Sequence, residues 1–175
     1  MTCSSSGNCQ CPFGSPGCDN SACLGWGFES GVGTWHPAVG GNAISSISSS
    51  TLHPTDGGSK SIAFGGELTP TSNSAIIETA LCTSGSTSVV GLRPGLEIMV
   101  DHDAVSLNVD WVGKSGATTV TGTIHFNLMA ARDKWYTVDG DAIPSGTVPF
   151  DTFQIVVSSN TNWGGQINVD NIQFH

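Results

Sequence analysis

The densest cluster of side chains able to do acid–base or metal chemistry is Asp101-His102-Asp103. In an extended segment alternate residues face opposite sides, so the two aspartates share one face and His102 takes the other. A His–Asp dyad between neighbours is therefore not expected, and two aspartates alone make only a weak metal site. Glycoside hydrolysis needs two carboxylates about 5–5.5 Å apart for retention, or about 6.5–9.5 Å for inversion. A strand supplying them would carry closely spaced glutamates. The four glutamates here are Glu29, Glu67, Glu78 and Glu97, and the nearest pair, Glu67 and Glu78, is eleven positions apart. No Gly-x-Ser-x-Gly elbow, phosphate loop, His-Glu-x-x-His or Gly-x-Gly-x-x-Gly string occurs. The expectation is a protein that is not an enzyme.

Composition narrows the partners. The chain has 175 residues, 38% hydrophobic and 11% charged, with 14 acids against 5 bases and a formal net charge of −9. The bases, Lys60, Arg93, Lys114, Arg132 and Lys134, do not form a patch. Nucleic acid and anionic membrane are excluded as partners, because both require a positive footprint. Polarity comes instead from Ser, Thr, Asn and 23 glycines, which suits a neutral polar ligand. Five of the six cysteines (Cys3, Cys9, Cys11, Cys18, Cys23) fall in the first 23 residues, and the sixth is Cys82. Their spacing lacks paired CxxC knuckles and the segment has no histidine, so disulfides are expected rather than zinc. Five being odd, one N-terminal cysteine is expected to pair with Cys82. That chemistry implies a secreted, extracellular protein. Met1 precedes no apolar run, so an export signal is not expected within this sequence.

The elements that must position any site read as short strands. Residues 1–25 form a Cys/Gly/Ser/Pro-rich lead-in without periodicity, and residues 26–175 form one domain. Candidate strands are 26–29, 33–38, 60–65, 75–82, 95–102, 104–112, 117–130, 134–138, 151–159 and 164–174. Period-two alternation sends Ile62, Phe64, Leu96, Ile98, Val100, Leu107, Val109, Ile124, Phe126, Leu128, Phe153, Ile155, Val157, Val169 and Ile172 inward. It sends Asp101, Asn108, Asp110, His125, Asn127, Met129, Gln154 and Ser158 outward. Glycine-rich turns separate the runs, and no capped amphipathic helix is visible. The fold class is all-β: a two-sheet antiparallel β-sandwich (jelly roll) with a disulfide-rich N-terminal lead-in.

Three stretches then carry a resemblance. They are Gly27-Phe28-Glu29-Ser30-Gly31-Val32-Gly33-Thr34-Trp35, Gly57-Gly58-Ser59-Lys60-Ser61-Ile62-Ala63-Phe64, and Trp163-Gly164-Gly165-Gln166-Ile167-Asn168-Val169-Asp170-Asn171-Ile172-Gln173-Phe174. In this order they resemble the first strand, the "G-x-x-S" strand and the last strand of the calcium-binding β-jelly-roll carbohydrate-binding modules of cellulases, xylanases and related plant-polysaccharide-degrading enzymes. Trp135-Tyr136-Thr137-Val138 resembles the strand entering their last hairpin. The Cys-rich lead-in departs from the pattern.

The resemblance implies a structural calcium, Ca2+, where the two chain ends meet. Its side-chain ligands would be Glu29 and Asp170, with backbone oxygens near Gly27, Gly57 and Lys60, and Asp56 as a further ligand. A mixed shell of carboxylates and carbonyls is what calcium prefers. It also implies polysaccharide binding, in which aromatic rings stack on the apolar faces of pyranoses while amides and carboxylates meet the hydroxyls. Trp163, within Asn-Thr-Asn-Trp-Gly-Gly, reads as a ring exposed in a turn. Trp111 ends a strand beside Gly113, although its parity is that of the core stripe. Trp135 and Tyr136 must face opposite ways, with Tyr136 the more exposed. His102, His125, Asp110, Asn127 and Gln154 are the polar partners. The expected function is non-catalytic binding of neutral β-linked plant polysaccharide, β-1,4-glucans including cellulose chains and xyloglucan, in an open groove. A covalently attached glycoside hydrolase would be the partner. The alternatives are a structural or adhesion β-sandwich without a sugar site, and a small jelly-roll glycanase.

Overall fold

A computed structural model describes residues 2–3, 9–10, 25–29, 31–39, 44, 46–54, 58–70, 73–81, 89–145, 147 and 150–175, and for 2–3 and 9–10 the backbone alone. Cys11, Cys18, Cys23 and Cys82 lie outside these residues, as do Asp56 and Gly57. Thirteen strands and no helix occur among the described residues. They are β1 (Thr2–Cys3), β2 (Cys9–Gln10), β3 (Gly25–Trp26), β4 (His36–Pro37), β5 (Ile47–Ser50), β6 (Ser61–Leu68), β7 (Ala75–Ala80), β8 (Pro94–Val100), β9 (Val105–Ser115), β10 (Thr118–Ala130), β11 (Tyr136–Asp139), β12 (Thr152–Ser159) and β13 (Trp163–Phe174). β1 and β2 pair with each other. The remainder form two antiparallel sheets: a front sheet of five strands in the order β10-β9-β12-β7-β4, and a back sheet of six in the order β11-β8-β13-β6-β5 with β3 on β13.

The two inner faces meet in one apolar core. Phe153 is fully buried and touches four other rings, Trp35, Trp111, Phe150 and Phe174. Such contacts add roughly 0.5–1.5 kcal/mol per pair beyond area burial. Two glycines make room for this stack. Gly122 lies opposite Trp111 across the β9–β10 ladder, and the indole covers it. Gly113 lies beneath the Phe150 ring.

Every residue assigned inward by alternation is buried except Phe126, which is 68% exposed. The reason is local. Between His125↔Val109 and Leu128↔Leu107, Phe126 and Asn127 together face Asn108, so β10 bulges there, and a second bulge lies between Thr123 and His125. An extra residue in one strand re-aims the side chains around it. Asn127 absorbs the distortion at φ 55°, a conformation that asparagine tolerates better than most residues.

Other boundaries also move. The segments expected over 26–29 and 33–38 shrink to the two-residue β3 and β4, and β5 was not expected. The strand expected to run to His102 stops at Val100, because Asp101–Asp103 turns back, with Asp101 Oδ1 accepting the Gln166 N–H at 2.7 Å.

A Cβ placed on Gly122 would stand 2.5 Å from Trp111 Nε1. Gly122→Ala is therefore expected to destabilise the fold by about 1–3 kcal/mol, the usual cost of overpacking. Denaturant melts monitored by tryptophan fluorescence would show it.

Candidate functional site

The front sheet has an outer face whose side chains are set by the burial of alternate residues beneath it. Because Phe153, Ile155 and Val157 of β12 point into the core, Gln154, Val156 and Ser158 point away from it. Register then assembles a row across five strands: Thr121, Val112, Gln154, Glu78 and His36 are successive cross-strand neighbours. Gln154 Nε2 donates to Glu78 Oε2 at 2.7 Å. Lys114 Nζ stands 4.0 Å from the same oxygen, and His36 Nδ1 stands 3.7 Å from Glu78 Oε1. Gln154 is only 4% exposed although it is on an outer face, so its amide serves to orient Glu78.

The next row is Thr123, Asp110, Val156 and Ile76, in which the Thr123 hydroxyl donates to Asp110 Oδ1 at 2.8 Å. Beyond it lies an amide cluster. Asn108 Oδ1 accepts the Asn127 N–H at 3.0 Å, Asn108 Nδ2 donates to Asn160 Oδ1 at 3.2 Å, and Asn160 Nδ2 donates to Asn127 Oδ1 at 2.7 Å. Asp110, Gln154, His125 and Asn127 thus come to one sheet.

The aromatic expectations fare differently. Trp163 does not lie in an exposed turn. It opens β13 and is 7% exposed, its ring lies over Gly165 beside His102, and its Nε1 donates to the Asp103 carbonyl at 2.9 Å. The Gly-Gly pair that reads as a flexible turn is strand that leaves space for the indole. Trp111 belongs to the core, enclosed by Gly122, Phe150 and Phe153. Tyr136 packs part of its ring on the core and accepts the Ala131 N–H at its hydroxyl, while Trp135 is half-buried. Both lie at the back sheet's β11 end, as does Lys134, whose ammonium stands 5.0 Å from the Tyr136 ring centre. His102 is exposed in the turn after β8, away from the polar row. Among the described residues, no aromatic side chain occupies an outward position of β7, β9 or β12.

Glu29 is held by the turn before β6: Ser59 N–H lies 2.8 and 2.9 Å from its two carboxylate oxygens, the Ser59 hydroxyl donates at 2.6 Å and Lys60 N–H at 3.2 Å. A donor nearly equidistant from both oxygens occupies the position a chelated cation would take, and these bonds use the carboxylate's acceptor sites. Asp170 is buried at 1% exposure and accepts the Asn171 N–H at 2.8 Å; Gly27 is half-buried. Asp56 and Gly57, two of the expected ligands, lie outside the described residues. Among the described residues Glu29 acts as a clasp between the first strand region and β6.

Burial alone would raise the Glu29 carboxyl, but the hydroxyl and N–H donors of Ser59 and Lys60, with His53 nearby, hold it below the ordinary glutamate range. A depressed carboxyl adds stability above its unfolded value and loses it as pH falls through the lower folded value. Glu29→Gln should cost about 1 kcal/mol at pH 7, the low end for hydrogen bonds to a charged group because water screens these. The deficit should shrink in acid below the glutamate range. Thermal melts across pH, in chelator and in calcium alike, would show it; a deficit present only with calcium would contradict the clasp.

Solved structures with the same fold were found by comparison. The C-terminal family 22 carbohydrate-binding module of xylanase 10B from Clostridium thermocellum superposes with TM-score 0.62 at 15% identity, covering 90% of this chain and 95% of that one. The family 27 module of Caldicellulosiruptor saccharolyticus, solved with mannohexaose, superposes with TM-score 0.64 at 18% identity, covering 85% and 94%. A family 28 module described as specific for non-crystalline cellulose superposes with TM-score 0.60 at 13% identity, covering 86% and 92%. No protein-family model and no curated protein sequence matches the chain. The chain thus has the β-sandwich fold of these modules.

Proposed function

We propose that this chain is a non-catalytic carbohydrate-binding module that holds a neutral β-1,4-linked polysaccharide along the outer face of the front sheet. The observation that carries the proposal is the cross-strand polar row, in which Gln154 orients Glu78 between His36 and Lys114. In that row the His36 and Lys114 side chains are exposed, at 57% and 38%, while Glu78 reaches the surface at 14%, so the flanking groups meet the hydroxyls of an extended sugar chain lying across the strands and Gln154 holds Glu78 in place between them. The fold shared with modules described as binding xylan, mannohexaose and non-crystalline cellulose supports the reading.

Glu78 and Asp110 lie two strands and two residues apart, which separates their backbones by about 12 Å at ordinary sheet spacing. Both are engaged, Glu78 by Gln154 and Asp110 by Thr123. The lack of aromatic side chains at the outward positions of β7, β9 and β12 favours a single soluble chain over a flat crystalline surface. The net charge of −9 disfavours polyanionic pectin. β-1,4-Glucans, including soluble cellulose chains and xyloglucan, are the ligands we favour. The module's role is targeting: it raises the local concentration of a covalently attached glycoside hydrolase on its substrate, outside the cell.

Native affinity electrophoresis tests this. Gels containing hydroxyethylcellulose, xyloglucan or mixed-linkage glucan should retard the protein, and gels containing pectin should not. Glu78→Ala and Asp110→Ala should each weaken retardation about tenfold, as loss of a polar anchor does. Retardation in no gel would return the chain to a purely structural sandwich.

A further inference from the structure

Phe126 is the one described aromatic side chain that is mostly exposed, at 68%, and it stands on the edge strand of the front sheet beside Met129, at 69%. The bulge that faces Phe126 and Asn127 together against Asn108 is what turns this ring out of the core. Exposing a large apolar ring forgoes burial energy. This ring adjoins a polar cluster. The three amides of Asn108, Asn127 and Asn160 orient one another, and the Ser106 hydroxyl donates to Asn127 Oδ1 at 3.3 Å. Asn127 Nδ2 keeps both hydrogens uncommitted among the described residues. None of the four residues carries a charge.

We infer that Phe126, with the amide cluster of Asn108, Asn127 and Asn160, forms an end subsite in which one pyranose ring of a neutral polysaccharide stacks on the phenyl face while the amides meet its hydroxyls. The inference rests on the proposed sugar-binding face and names its aromatic element. Position supports it. Asn108 stands two residues along β9 from Asp110, so the cluster continues the polar face, and the ring lies at the edge where a chain crossing the strands would leave the sheet. A charged ligand finds no counter-ion here. A pyranose, which presents an apolar C–H face and neutral hydroxyls, matches both halves of the site.

The test uses the whole chain as wild type, Phe126→Ala and Glu78→Ala, in hydroxyethylcellulose gels. It adds ¹³C-methyl spectra of the methionines during titration with cellohexaose. Phe126→Ala should weaken retardation about tenfold, the scale of one anchoring aromatic, with an unchanged melting temperature because the ring is exposed. The Met129 methyl should shift on titration, while the buried Met99 methyl stays in place. If wild type and Phe126→Ala are retarded equally while Glu78→Ala is not, and Met129 does not shift, the subsite is refuted and the sheet-face reading stands. If wild type is not retarded at all, the sheet-face reading fails and the subsite fails with it.

Discussion

The burial of Phe153 is the constraint on which the rest of the molecule depends. Its ring sits between the two sheets in contact with Trp35, Trp111, Phe150 and Phe174, which come from four different parts of the chain. A strand has only two faces, so fixing Phe153 inward fixes Gln154 outward, and a slip by one residue would exchange them. The ladders to β7 and β9 then place Glu78 and Val112 beside Gln154. The polar row on the front face is thus a consequence of core packing. It is rigid for the same reason: moving Gln154 means moving Phe153.

Two departures from regular sheet geometry shape the rest. The bulges in β10 turn an apolar residue away from the core and seat Asn127 in a left-handed conformation beside Asn108. At the opposite edge of the chain's order, Glu29 ties the segment after β3 to the start of β6 through backbone donors. The first device spends apolar burial on an exposed ring. The second satisfies a partly buried carboxylate with dipoles of the chain itself.

Much of the fold was legible because alternation is a local signal. β9 follows it from Val105 to Gly113, and the residues of β8, β9 and β12 that it sends inward are core. Phe126 was misread because a bulge is invisible to a period-two count. Trp163 was misread because Gly164-Gly165 looks like a turn, whereas those glycines leave room for the indole. The candidate site was legible only in pieces. Gln154, Asp110 and Asn127 have outward parity, but the pairing of Gln154 with Glu78 spans 76 residues and depends on register, which no local pattern encodes. Glu78 and His36 were missed for this reason. An outward glutamate in the Ala75–Ala80 strand was the available signal, and it gains meaning only once β12 is placed beside it.

The central claim is that sugar binds the outer face of the front sheet. Amide ¹H–¹⁵N spectra of the intact chain titrated with cellohexaose test it most directly. The account predicts shifts concentrated on outward residues of β7, β9, β10 and β12, with those of β6, β8 and β13 unmoved. Shifts centred on the back sheet, or none at saturating sugar, would contradict it.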